Sequence, residues 1–272
     1  MKELVLSFKY LNKKSVSIAG GKGAQLGEML SAGINVPNGF VVLTHSFDLF
    51  LKENELEKRI EEELKKAKTK DTKSIDKASK NIRAMVEKGL MPEEIKKNIL
   101  FEFKKMNLNF VAVRSSATAE DSADASWAGE LDTYTNETEK TVLNAVKKCW
   151  SSLFTPRAIF YSKEKKFKGK ISVGVVVQKM VDSEVAGVAF TRHPITKNNN
   201  QIMIEAGLGL GESVVSGAIT PDNYIINKKE MFIEEIQVNE QKKMITKKKK
   251  EKQLKLLFQR ISKACRNLKG KK

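Results

Sequence analysis

The first fifty residues show a helical spacing of apolar positions followed by a strand-like one. The glycine-rich stretch at 20–23 precedes apolar side chains that recur three and four residues apart, which predicts an amphipathic helix. The face predicted to be buried carries Leu26, Met29 and Leu30. Gly33 suits the position just after a helix, where a positive φ is needed. The continuous apolar run at 40–43 then predicts a buried strand.

Residues 52–106 are rich in charge and have helical spacing throughout. Glutamate and lysine lie three and four residues apart over 53–68, which favours a helix with a solvated face. Pro92 and the two glutamates after it predict a helix start, because proline fits the first turn and the acids oppose the helix dipole. The apolar face of that helix is Ile95, Ile99, Phe103 and Met106. The region is therefore predicted to be a helical layer that covers a sheet.

The second half of the chain mixes short apolar runs with two helical patterns. Strands are predicted at 110–113, 173–177, 185–190, 202–204 and 224–226, with an edge strand at 231–238. Those at 173–177 and 185–190 are expected to be buried. One helical face consists of Val142, Val146, Cys149 and Leu153, and one near the C-terminus of Leu254, Leu257, Phe258, Ile261, Cys265 and Leu268. The pattern as a whole predicts an α+β fold.

Composition and charge narrow the function classes. The net charge is +17, but residues 241–272 hold fourteen Lys or Arg and one acid, so 13 of these charges belong to the tail. A nucleic-acid surface would also interleave aromatic residues with the basic ones, and the tail has only Phe258, so no nucleic-acid partner is expected. The sequence contains no run of eighteen apolar residues, so no membrane span is expected. Two distant cysteines are not a disulfide framework, which favours a cytoplasmic protein.

Two segments carry chemistry suited to phosphate. Lys22 lies within the glycine-rich stretch, where backbone N–H groups and a helix N-terminus favour an anion, although a plain tight turn explains the glycines as well. Arg114 ends a predicted strand and is followed by small hydroxyl residues that suit phosphate oxygens. A surface ion pair between Arg114 and Glu120 or Asp121 is an equally good explanation from the residues alone.

Two further segments are weaker indications of a nucleotide site when each is taken alone. Residues 126–133 contain Gly129, which permits close approach of the backbone to phosphates, and Thr133, which offers a hydroxyl. An ordinary polar hairpin has the same composition. Residues 178–181 follow an apolar strand and could bond an adenine edge through the backbone, with Met180 or Val181 against the ring. A strand end without a ligand looks the same.

The order of these segments is more specific than any one of them. The series GGKGAQLGEM, INVPNGFVVLT, VAVRSSATAEDSADASWAGELDTYTN, WSSLFTPRAIFY, VGVVVQKMV, AGVAFTRHPIT and GLGLGESVVSGAITPDNY closely resembles the N-terminal domain of phosphoenolpyruvate synthases. Pyruvate phosphate dikinases and rifampicin phosphotransferases share that domain. The resemblance covers roughly residues 4–230, and the arginine-centred block is its most diagnostic part.

The resemblance implies an ATP-grasp-like fold that holds ATP between two lobes, an N-terminal one over 1–178 and an incomplete second one over 179–240, followed by a basic tail over 241–272. It implies that Lys22 and Arg114 contact the ATP phosphates. Gly129 and Thr133 would belong to the loop that covers them, and Gln178, Met180 and Val181 to the adenine-binding hinge. Mg²⁺ is implied as a cofactor, with its protein ligands unknown.

The resemblance further implies an ATP-dependent phosphotransferase that passes a phosphoryl group to a histidine on a separate domain or chain. The family's Asp-Ile-Glu-Trp-like and Gln-x-Arg-Pro segments do not occur before Lys272, so the chain is expected to be incomplete and inactive alone. Neither His45 nor His193 has the setting of a carrier histidine, and both are predicted to be structural or at the surface. A non-catalytic nucleotide- or partner-binding module remains an alternative.

Overall fold

The computed structural model describes residues 3–118, 121–122, 125–126, 132–164 and 172–246, with backbone alone at 121–122 and 125–126. Helices and antiparallel sheets occur together, so the predicted α+β class is confirmed. The chain divides after Met180 into two compact units. In the described part of the chain, no helix is both long and apolar enough to cross a membrane. The glycine at 129 and the tail pattern from 254 onward lie outside the described residues.

The helices and strands follow one another in mixed order along the chain. The helices are α1 Val16–Ser31, α2 Thr44–Glu53, α3 Leu56–Lys66, α4 Thr72–Lys88, α5 Glu93–Lys105, α6 Val142–Ser151, α7 Pro156–Glu164 and α8 Glu212–Val215. The strands are β1 Val5–Ser7, β2 Gly39–Val42, β3 Val111–Ala117, β4 Asp121–Ser122, β5 Ala125–Ser126, β6 Thr133–Glu137, β7 Val173–Lys179, β8 Val185–Phe190, β9 Gln201–Leu208, β10 Asp222–Asn227 and β11 Ile233–Gln237.

The first unit is built on a five-stranded antiparallel sheet in the order β1-β2-β7-β3-β6. Side chains alternate between the two faces of a strand, so the continuous apolar runs of β2 and β7 are buried on both sides. One face packs in a large core against α2 to α6, with Trp150 and Phe50 at its centre. The other face carries α1 and a smaller core that includes Val41 and Val176.

The helical layer predicted over 52–106 is confirmed in α3, α4 and α5. In α5 the helix begins at Glu93 with Pro92 as its N-cap, one residue later than the pattern predicted. Ile95, Ile99 and Phe103 are buried as predicted, and they pack in the large core. The helix covers one face of the sheet because its apolar stripe has no other way to leave water.

The predicted apolar face of α1 is wrong at Met29 and Leu30, whereas Leu26 is half-buried and packs against the smaller core. Met29 and Leu30 are 39 % and 37 % exposed, and the buried residues of the helix are small: Ala19, Gly20, Gly21, Gly23, Ala24 and Gly27. A β-carbon at Gly27 would overlap the backbone of Leu11, so only glycine allows this approach. The helix is held by close backbone packing, which a search for large apolar residues does not detect. Gly33 does follow the helix end with a φ of 80°, as predicted.

The second unit contains a four-stranded antiparallel sheet in the order β11-β10-β9-β8. The predicted edge position of β11 is confirmed. The expectation that 185–190 is a buried strand is wrong, because β8 is itself an edge strand and Val185 is 57 % exposed. Gly209, with a φ of 85°, lies in the turn between β9 and the short helix α8.

Candidate functional site

Three of the residues singled out in the sequence lie on one face of the five-stranded sheet. Arg114 of β3 is directly opposite Thr133 of β6 and Val176 of β7. Residues opposed in this way place their side chains on the same face, and Gln178, two residues after Val176, shares it. The smaller core that includes Val176 also includes Ala19 of α1, so this is the face that α1 covers in part.

Lys22 reaches the same face from a break in α1. The helix has a non-helical residue at Gly20, with a φ of 72° and a ψ of 172°, so a second helical segment starts there. Lys22 lies in the first turn of that segment and is half-buried. Its Nζ donates a hydrogen bond to the carbonyl oxygen of Ser115, at 3.1 Å. The ammonium group is therefore held against β3, next to the residue that follows Arg114.

Ser116 joins the two halves of the broken helix. Its hydroxyl donates to the carbonyl oxygen of Ala19 at 2.9 Å and accepts from the N–H of Gly23 at 3.1 Å. Both groups are backbone atoms that the break leaves without a helical partner. A β-carbon at Gly20 would overlap the carbonyl oxygen of Ser116, and one at Gly174 would lie 2.7 Å from that of Ala19. Glycine is thus needed on both sides for the backbones to approach.

The hydroxyls of Ser115 and Ser116, which follow Arg114, bond the protein's own backbone. Ser115 and Ser116 are fully buried, and the hydroxyl of Ser115 donates to the carbonyl oxygen of Asp132 at 3.0 Å. The N–H of Gly23 lies in the glycine-rich stretch that was predicted to favour an anion, and it is bonded to the hydroxyl of Ser116. Sequence reasoning missed the structural role of Ser116. The pairing of a glycine-rich helix with a strand rich in small residues was the available indication of close packing.

Asp132 fixes the start of β6. Its carbonyl oxygen accepts from the N–H of Ser115 at 3.2 Å, and its carboxylate accepts from the hydroxyl of Tyr134 at 2.8 Å. Burial, and next the bond to Asp132, raise the pKa of Tyr134 well above its usual range, so this hydroxyl stays protonated and remains a donor. Thr133, between these two anchors, is exposed and lies across from Arg114. Gly129, in the loop before it, lies outside the described residues.

The predicted hinge residues differ in their surroundings. The side-chain amide of Gln178 is buried and donates to the carbonyl oxygen of Pro37 at 3.1 Å. Met180 is also buried, and its sulfur accepts from the N–H of Asn136 at 3.0 Å. Val181, the first residue of the second unit, is 51 % exposed. Gln178 and Met180 therefore both stabilise the first unit, whatever else they contact.

The two histidines have no shared site. The imidazole Nδ1 of His193 accepts from the N–H groups of Ile195 and Thr196, both at 3.3 Å, so it stabilises its own turn. His45 lines a cavity of about 360 Å³ beside α2, together with Asp48 and Glu57 among others. Within the described residues, no group of three or more His, Cys, Asp or Glu side chains has an arrangement that could hold a metal ion.

A comparison with protein families identifies residues 16–267 as a pyruvate phosphate dikinase AMP/ATP-binding domain. The match covers most of the chain, including Lys22, Arg114, Ser116 and the residues at 178–181. The chain belongs to this family. A domain of the pyruvate phosphate dikinase AMP/ATP-binding type thus has a half-buried Arg114 on the sheet face that α1 covers in part, and a Lys22 whose ammonium bonds the next residue of β3.

Curated relatives of this dikinase-type domain are longer proteins. A probable phosphoenolpyruvate synthase of Methanocaldococcus jannaschii is 48 % identical over 231 residues, which are 82 % of this chain and 19 % of that protein. One of Archaeoglobus fulgidus is 45 % identical over 251 residues, 90 % of this chain and 33 % of that protein. A rifampicin phosphotransferase of Bacillus cereus is 38 % identical over 235 residues, 85 % of this chain and 27 % of that protein. The chain thus spans about a fifth to a third of the length of these relatives.

Proposed function

We propose that this chain is the ATP-binding part of a phosphoenolpyruvate synthase-like phosphotransferase, which passes a phosphoryl group from ATP to a histidine on a separate domain or chain. The observation that carries the proposal is that the ammonium of Lys22 bonds β3 at Ser115, the residue next to Arg114, in a domain of the AMP/ATP-binding family. The relatives named phosphoenolpyruvate synthase support this class of reaction.

In this proposal the two cations divide the recognition of the triphosphate. The guanidinium of Arg114 can bind two phosphate oxygens at once, while the ammonium of Lys22 acts as a compact point charge. Thr133, across from Arg114, would offer a hydroxyl at the end of the covering loop that includes Gly129. Positive groups fixed in place before the reaction stabilise the charge that spreads over a transferred phosphoryl group.

The adenine end of the nucleotide is assigned to 178–181. Gln178 and Met180 are held by hydrogen bonds inside the first unit, which stabilise the backbone of 178–180 there. An adenine edge would bond to that backbone, with the exposed side chain of Val181 available to the ring. That ATP lies between two lobes, as in ATP-grasp proteins, follows from the resemblance alone and belongs to the proposal.

Mg²⁺ enters the proposal only as the ion that accompanies ATP. The described residues offer no cluster of three suitable ligands, so they do not by themselves fit a protein-held ion. When bound to the triphosphate, the ion would neutralise part of its charge.

Calorimetric titration of the chain with ATP in the presence of Mg²⁺ tests the binding step. Saturable binding of ATP is expected, and ADP and AMP should compete for the same site. Phosphoryl transfer is tested in a chimaera, in which this chain replaces the matching segment of the Methanocaldococcus jannaschii relative. Pyruvate-dependent formation of phosphoenolpyruvate is expected, and it should be lost with Arg114→Ala. A folded chimaera that binds ATP but forms no phosphoenolpyruvate would contradict the proposed reaction.

A further inference from the structure

We propose that Ser116 is a positioning residue that sets the place of Lys22, and hence the affinity for the phosphates of ATP, without touching the nucleotide. The inference rests on the proposed function and names a residue that acts through Lys22. Ser116 is fully buried, and its hydroxyl hydrogen-bonds the backbone on both sides of the helix break. It therefore acts on the helix segment that carries Lys22.

The break gives Ser116 this control. A helix interior fixes its residues by repeated hydrogen bonds, but Gly20 interrupts that repetition, so the segment after it needs another anchor. The hydroxyl of Ser116 bonds the backbone three residues before Lys22 and one residue after it. The ammonium of Lys22 in turn bonds the carbonyl oxygen of Ser115 on the same strand. One short stretch of β3 thus holds both the backbone and the side-chain end of Lys22.

Arg114 does not depend on this anchor. Its position is set by the pairing of β3 with β6 and β7, opposite Thr133 and Val176. Removal of the Ser116 hydroxyl should therefore weaken the phosphate contact of Lys22 and leave that of Arg114 in place. Two substitutions that act through one contact are not additive, whereas independent ones are. This difference separates positioning of Lys22 from a general loss of structure.

The test measures binding of ATP and of adenosine by Ser116→Ala, alone and combined with Lys22→Ala or Arg114→Ala. Loss of a neutral hydrogen bond predicts that ATP affinity falls about fivefold. Adenosine affinity should not change, because adenosine has no phosphate. The loss should vanish in the Lys22→Ala background and persist in the Arg114→Ala background. The control is Ser79→Ala, since Ser79 is buried in α4 and its hydroxyl donates to the carbonyl oxygen of Phe154 at 2.6 Å.

The binding results distinguish failure of the Ser116 inference from failure of the proposed function. Equal weakening of ATP and adenosine, an additive effect with Lys22→Ala, or an equal effect of Ser79→Ala would overturn the inference and leave the proposed function standing. Absence of ATP binding by the unsubstituted chain would overturn both. The Gly23 amide should also exchange its hydrogen faster in Ser116→Ala, and unchanged exchange would count against the anchor itself.

A near-isosteric variant guards against loss of folding. If Ser116→Ala does not fold, Ser116→Cys fills the site with a slightly larger side chain and keeps a weak donor and acceptor. It should then show a smaller loss of ATP affinity with adenosine affinity unchanged. A loss for both ligands would overturn the inference.

Discussion

Replacement of Arg114 by alanine probes the proposed site most directly. The side chain is half-buried in β3 on the face that carries α1, and it does not belong to either apolar core. Its removal leaves the pairing of β3 with β6 and β7 intact, because that pairing uses backbone atoms. The variant should therefore fold, and its effect should appear in binding.

The expected loss of ATP affinity follows from the kind of contact that Arg114→Ala removes. Hydrogen bonds to charged groups contribute about 1.5–3 kcal/mol, and a guanidinium on a phosphate is of this type. At about 1.4 kcal/mol for each factor of ten, ATP should bind about 10- to 150-fold more weakly to Arg114→Ala. Arg114→Lys should recover only part of this, since an ammonium lacks the planar fork. Adenosine should bind both variants as it binds the unsubstituted chain.

The assay is calorimetric titration with ATP and adenosine, and the control is Arg59→Ala. Arg59 is exposed on α3, which packs against the other face of the sheet, so the control makes the same charge change away from the site. The control should retain ATP affinity within about twofold, because exposed charges at a distance are screened by salt. Unchanged ATP affinity in Arg114→Ala, or an equal loss in Arg59→Ala, would refute the assignment of Arg114 to the phosphates.

Three other predictions concern the helix break and the core. Lys22→Arg should not restore the ATP affinity lost in Lys22→Ala, since a guanidinium does not occupy the geometry of an ammonium, and titration showing full recovery would contradict a close phosphate contact. Gly20→Ala should lower the free energy of unfolding by about 2–5 kcal/mol in urea, because positive φ and overlap with β3 add. Gly33→Ala, also at positive φ but with open space around it, should cost only about 1–2 kcal/mol, and equal losses would refute the overlap. Burial raises the pKa of the Cys149 thiol far above its usual range, so in a Cys265→Ser background a thiol reagent at pH 8 should modify it only as fast as the chain unfolds. Rapid modification of the folded chain would show that this thiol is accessible.

Periodicity alone predicted most of the elements of the first unit. The stripe of Ile95, Ile99 and Phe103 led to α5 because large apolar side chains at helical spacing can be buried in only one way. Arg114 was proposed as a site residue from its place in the motif and its charge, and this assignment stays a prediction. Arg114 and Ser116 share a face of β3 but lie in different surroundings. The motif does not show this difference.

The packing of α1 could not be predicted in the same way. Hydrophobic periodicity assigns burial by side-chain size, and Met29 and Leu30 were therefore placed inside, although the helix buries Gly20 and Gly27. Close approach of two backbones depends on the absence of a β-carbon and on a hydrogen bond across 97 residues, from Ser116 to Ala19. No local pattern contains that partner. Errors of this kind occur where a chain uses glycine for contact, not for a turn.

The alternation of side chains along β3 ties stability and the proposed binding site to one strand. Val111 and Val113 face the large core, while Arg114 and Ser116 face α1. The core side fixes the strand, and a strand fixed in this way can hold a phosphate-binding side chain more precisely than a loop can. Substitutions on the core side should therefore reduce stability first, and those on the α1 side should reduce ATP affinity first. If Val113→Ala and Arg114→Ala showed the same ratio of lost stability to lost ATP affinity, this division between the faces would be wrong.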